Sequence, residues 1–152
     1  MPQIKTRVAA ILQRCASEIV ERWLVRVREN KELKRVSLTD NELTVYLPNL
    51  IADLIVRLKE PNVPAGEGSL CFRFAAVAHG KMRKAQGYTA GMLVHESRML
   101  EVTISETLHS NRSVIDFRLL LPDIMTIADE VDSQLAQAMN GYMNGTLKTV
   151  VA

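Results

Sequence analysis

Only two cysteines, Cys15 and Cys71, stand in the chain of 152 residues, and both fall in apolar helical patterns. They read as small hydrophobes in a reducing compartment rather than as a disulfide, and two dispersed thiols cannot make a zinc site. Glycine (7), proline (5) and aromatic residues (5%) are also scarce. β-Branched residues do not gather in alternating runs, so the marks of a sheet protein are missing. No apolar run approaches the roughly 20 residues that cross a bilayer. Lys5, Arg7, Gln13 and Arg14 interrupt the apolar core that a secretion signal needs. A net charge of +2 gives no strong pull toward nucleic acid or an anionic membrane. The expectation is a cytoplasmic domain that does not insert into a membrane.

What is present favours helices. Hydrophobic content of 47% and charged content of 24% suit a folded globular chain, and the length suits one domain spanning 1–152. Ile4, Val8, Leu12, Cys15, Ile19 and Trp23 recur in steps of three and four, predicting an amphipathic helix to about residue 29. The charged stretch from Glu29 to Arg35 predicts a turn or short helix. Thr39 with Glu42 has the form of a capping box, ahead of a stripe of Leu43, Tyr46, Leu47, Leu50, Leu54 and Leu58. Pro48 should kink that helix or mark a break before it. Residues 60–69 form the clearest loop; neither side of it is long enough for a comfortable core of its own, so it is not a domain linker.

From Leu70 a helix is predicted through Phe74, Ala75, Ala78, Met82 and Ala85, stopped by Gly87 as its left-handed C′ residue. Thr89 can cap the next helix, with a stripe of Leu93, Ser97, Leu100, Ile104 and Leu108, running back antiparallel. Asn111 to Ser113 predicts a break, and a short helical piece precedes Pro122, which suits the first turn of a last long helix. That helix should bury Ile124, Ala128, Val131, Leu135, Ala138 and Tyr142, with Gly141 and Gly145 weakening its end. The fold class is all-α: a single-domain bundle of about six helices, with a globin-like arrangement among its forms.

Chemistry concentrates at His79, Gly80 and Arg83. His79 and Arg83 are four apart and share a helical face, roughly with Phe72, Ala76 and Gln86. Gly80 would admit a helix or ligand at that level, and Glu96, two turns into the next helix, can face either side chain. The plainest reading is an Arg–Glu pair and a histidine hydrogen bond that pin the corner. A ligand or partner site built from the same residues, with Tyr88, is the alternative. Catalysis would need a nucleophile or second acid nearby, and the sequence offers none. The histidines His79, His95 and His109 have no metal-site spacing, so no metal and no cofactor are expected. Haem is the nearest exception, because His79 or His95 could serve as an axial ligand, but three Phe and one Trp are few to line its slot. Arg22, Arg26, Arg28, Lys31, Lys34 and Arg35 are interspersed with glutamates and read as a solvated face, not a nucleic-acid reader. Trp23, with Arg26 one turn on, can close a pocket or a dimer seam.

Taken in order, Trp23 with Arg26, Leu47-Pro48, Ala78-His79-Gly80 with Arg83, Gly87-Tyr88, Leu93-Val94 and Glu96 form a pattern. It resembles the N-terminal domain of RsbRD-type proteins, co-antagonists of the bacterial stressosome, a domain that also precedes histidine kinases and other bacterial regulators. The resemblance runs from the first helix to about residue 140 and implies a non-enzymatic, all-helical input domain. On it, His79, Gly80, Arg83, Gly87, Tyr88 and Glu96 are the matching positions. The chain departs from the pattern where an aromatic residue and a later arginine would follow the glutamate, reading Glu96-Ser97-Arg98-Met99-Leu100-Glu101 instead. No kinase, STAS or DNA-binding module follows, so an excised domain or a stand-alone relative is expected. The implied role is a homodimer with its first and last helices at the interface, passing a signal to a downstream protein or C-terminal effector. The apolar motive for that interface is Met139, Tyr142 and Met143. A haem- or small-molecule-binding globin-like protein is the runner-up.

Overall fold

The computed structural model describes residues 5–60 and 70–150, without the side chains of 70–73 and 145–150. Ile4, the loop 61–69, the side chains of Cys71 and Phe72, and the surroundings of Gly145 therefore lie outside the described residues. Six α-helices follow one another: α1 (Val8–Glu29), α2 (Asp40–Thr44), α3 (Leu47–Lys59), α4 (Leu70–Ala85), α5 (Ala90–Ser110) and α6 (Leu120–Val150). Five are long and α2 is a single turn, while a 3-10 turn at Leu33–Arg35 fills the charged stretch after α1. No strand occurs among the described residues; one isolated parallel bridge joins Thr6 to Ile115 and ties the start of α1 to the α5–α6 connection. The result is an all-α bundle.

α1 buries Val8, Ile11, Leu12, Cys15, Ile19, Trp23 and Val27, the predicted stripe extended by one more turn, and packs against α5 and α3. At α2 the capping box forms in full. Thr39 Oγ1 accepts from the Glu42 amide at 3.2 Å, and Glu42 Oε1 accepts from the Thr39 amide at 3.0 Å. Pro48 ends up in the first turn of α3, where a missing N–H costs nothing, so the stretch is broken into two helices rather than kinked. α4 stops as predicted: Gly87 takes a φ of +96°, Tyr88 N–H returns to the Arg83 carbonyl at 3.0 Å and Gly87 N–H to Lys84 at 3.2 Å. That pair of bonds is a Schellman cap, and it needs a residue that enters left-handed space without strain. Thr89 caps α5 through the Met92 amide at 3.2 Å.

The most extensive helix pair is α4 on α6. A Cβ added at Gly80 would lie 1.8 Å from the Ala138 carbonyl oxygen, and one at Gly141 would lie 2.1 Å from that of Val77. The two backbones therefore touch, antiparallel, at two glycines. Gly141, expected only to weaken α6, is what lets α4 approach.

This crossing corrects two predicted faces. Phe74 is 72% exposed and Ala85 is exposed; α4 keeps Ala75 inside as predicted but also turns Ala76, Gly80 and Arg83 inward, Gly80 because only a glycine fits where the backbones meet. On α6, Ile124 and Ala128 face outward, while Asp123, Ile127, Glu130 and Gln134 take the inner positions. Those polar groups are tolerated inside because each has a partner: Arg7 for Asp123, Arg57 for Glu130 and the Leu50 carbonyl for Gln134. Turns occupy 117–119 where a short helical piece was expected. Finally, α4 and α5 do not form a close antiparallel pair. α6 lies against α4, and long side chains span the space to α5.

Candidate functional site

Those long side chains are the predicted ones. Arg83 is fully buried and each of its nitrogens is committed: Nε donates to Glu96 Oε1 at 2.8 Å, Nη1 to Gln86 Oε1 at 2.7 Å and to the Glu42 carbonyl at 3.1 Å, and Nη2 to the Leu43 carbonyl at 2.7 Å. Glu42 and Leu43 belong to α2, whose last turn would otherwise leave carbonyls without partners. One guanidinium thus holds α2, α4 and α5 together.

Glu96, 3% exposed, receives His79 on its other oxygen, with Nε2 at 3.0 Å from Oε2. An ionised carboxylate only accepts, so Nε2 carries the proton, and Nδ1 is left buried without a partner. The Trp23 indole N–H reaches the Glu96 backbone carbonyl at 3.2 Å, adding α1 to the group. Tyr46 sets its ring edge-on to His79 with centroids 6.4 Å apart. The Arg83 guanidinium carbon sits 5.1 Å from the centre of the Tyr88 ring, and Tyr142 Oη donates to the Tyr88 carbonyl at 2.7 Å. Burial, and then the neighbouring Glu96 charge, push the Tyr88 phenol well above its ordinary range.

The structure therefore gathers His79, Arg83, Glu96, Tyr88 and Trp23. It does not gather Arg26, which pairs with Glu106 ten residues beyond Glu96, roughly 15 Å along α5. Gly80 meets α6 and not a ligand space. The α2 carbonyls were invisible in sequence because backbone acceptors carry no residue signature. Tyr46 and Tyr142 were assigned only to apolar stripes.

Beside His79 and Glu96 lies a cavity of ≈ 40 Å³, whose other polar lining is Ser97 and Gln134. That is room for about three waters. This cavity is several-fold smaller than the roughly 300 Å³ of a small-ligand pocket, and the Nε2 of His79 is held by Glu96. Among the described residues no group of His, Cys, Asp or Glu has the arrangement of a metal site, and no helix is long and apolar enough to cross a membrane.

A second charged group went unnoticed in sequence, because Asp53 and Arg57 look like an ordinary pair one helical turn apart. On α3, Arg57 faces two acids of α6, bonding Glu130 at 3.1 Å and Asp129. Asp53, half-buried beside them, has its carboxyl pushed up to about 7, first by burial and then by the Glu130 charge.

No protein-family model, curated protein or solved structure matches this chain.

Proposed function

We propose that the chain is a non-enzymatic input module of bacterial signal transduction, acting as a homodimer and relaying its signal by rearrangement of helices. One observation carries the reading: a single buried guanidinium, Arg83, joins α2, α4 and α5, while Gly80, one turn before it on α4, rides on the α6 backbone. Whatever perturbs the His79–Arg83–Glu96 group shifts α4, and α4 cannot shift without moving α6. Helix translation of this kind is a common way to pass a small local change to a distant end. The non-catalytic part of the reading rests on the same chemistry. Both oxygens of Glu96 and all three nitrogens of Arg83 are spent on neighbours, leaving little with which to act on a substrate. The resemblance to stressosome co-antagonists supports the reading through residue order alone. The cavity beside His79, walled mostly by apolar side chains, suits a very small ligand with an apolar body as the perturbing agent and gives no support to a haem carrier.

The test is a chimera in which the chain replaces the input domain of a bacterial histidine kinase. Glu96→Gln should change autophosphorylation several-fold, whereas Glu106→Gln, in the separate Arg26 pair, should leave it alone. A kinase indifferent to Glu96→Gln, in a protein shown to remain folded, would refute the relay.

A further inference from the structure

Among the described residues, one face of the N-terminal half of α6 has no partner. The inner residues of that half are Asp123, Ile127, Glu130, Val131 and Gln134. Roughly opposite them, Leu121, Ile124, Met125 and Ala128 follow at the spacing of a helical stripe. Leu121 is 68% exposed, Met125 66% and Ile124 44%, and Phe117 and Leu119 in the turn just before are 62% and 37% exposed. Of the residues that first suggested a dimer seam, Tyr142 is buried and spent on the Tyr88 carbonyl, while Met143 stays 60% exposed. Among the described residues, a larger apolar patch lies at the other end of the same helix.

Two features say what covers it. The first is area: five large apolar side chains at these exposures offer on the order of 500 Å² per copy. A stable dimer buries about 800 Å² per partner, of which about 65% is apolar in homodimers, so the patch supplies about the apolar share required. The second is charge. Arg118 and Asp132 stand seven residues before and seven after Met125, Arg118 in the turn that leads into α6 and Asp132 on α6 itself, so opposite charges flank the patch. The Arg118 guanidinium is 87% exposed even while it pairs with Asp116, and Asp132 is exposed. Asp132 lies two helical turns after Met125, about 10 Å along the axis, and Arg118 stands before the other end of the patch. A two-fold axis through Met125 would bring Arg118 of one copy onto Asp132 of the other, twice. A surface whose charges are complementary to its own reversed image fits a second copy of itself better than an unrelated partner.

We infer that the N-terminal half of α6 is an antiparallel homodimer seam, with Met125 on the two-fold axis and reciprocal Arg118–Asp132 pairs at its ends. The inference rests on the dimer of the proposed function and supplies its interface.

Sedimentation of the full chain, with each variant checked for helix content, tests it. The wild type should be a dimer at high micromolar concentration, and Met125→Asp, at an exposed position, should be a folded monomer. Arg118→Asp and Asp132→Arg should each weaken association roughly tenfold, and the double swap should restore most of it. In a Cys71→Ser background, Met125→Cys should cross-link to itself on mild oxidation. A wild-type monomer, a dimer untouched by Met125→Asp, or charge changes that merely add without rescue would each overturn the seam. These outcomes are independent of the kinase chimera: a dimer on this face with an indifferent kinase defeats the relay and leaves the seam standing.

Discussion

α6 is gripped from two sides by opposite means. Against α4 the contact is nearly bare backbone, Gly80 on Ala138 and Gly141 on Val77, next to a charged group in which Arg83 and His79 both bond Glu96. Against α3 the contact is made by charged side chains, with one arginine, Arg57, serving Asp129 and Glu130 beside a third acid, Asp53. The α4 side has one carboxylate between a guanidinium and an imidazole; the α3 side has more acid than base. Burial makes the first arrangement strict, since a dry charge without its partner is costly. Redundancy makes the second more forgiving, because Arg57 keeps the exposed Asp129 if Glu130 is lost. The same element types therefore yield one rigid joint and one that answers to pH.

The comparison breaks most sharply at Glu96. Glu96→Ala leaves Arg83 buried with its Nε unpaired and strips His79 of its acceptor, so the loss should be on the order of 3 kcal/mol in a urea unfolding titration. Glu130→Ala, on the α3 side, leaves Arg57 its second acid, Asp129, and should cost less, about 1–2 kcal/mol. Equal losses would mean that the two joints do not differ in the way their pairing implies.

Next in size is the backbone contact. Gly80→Ala pushes a methyl carbon toward a carbonyl oxygen 1.8 Å away, which belongs to the main chain and cannot swing aside. Separating α4 from α6 enough to admit it should cost about 2–3 kcal/mol, against any gain in helix propensity. Gly91→Ala is the control, since its added Cβ meets nothing nearer than Thr89 Oγ1 at 3.8 Å, and it should stabilise by up to about 1 kcal/mol. A Gly80→Ala protein as stable as its parent would show that the seam is loose in solution.

Much of this architecture was legible beforehand, and the failures share one cause. Thr39 with Glu42, Gly87, Thr89 and Pro48 act through local backbone chemistry, so sequence spacing located them well. His79, Arg83 and Glu96 were legible because polar residues on apolar faces have to find one another. The rotation of α4 and α6 was not legible: Phe74 and Ile124 are apolar at plausible spacing, yet the contact is set by two glycines whose meaning depends on which helix lies opposite. Polar residues such as Gln134 and Glu130 were likewise discounted as core because their partners sit on another helix.

The smallest effect is the most specific to the α3 side. An unfolded chain loses the Asp53 proton near pH 4, whereas the folded protein holds it to about 7. Between those values the native state binds the additional proton, so this residue's contribution to stability falls as pH rises from about 4 to 7 and is at its least favourable above that. Asp53→Asn removes the penalty. The variant should match the wild type near pH 4 and exceed it by about 1 kcal/mol at pH 8, a figure reduced from the full shift because the group is partly solvated. Glu130→Gln then separates the causes. Glu130 is the second contributor behind burial, so its neutralisation should lower the Asp53 midpoint, followed through the carboxyl carbon by NMR, without returning it to an ordinary aspartate value. A midpoint that returns all the way would make repulsion between acids, rather than burial, the dominant cause.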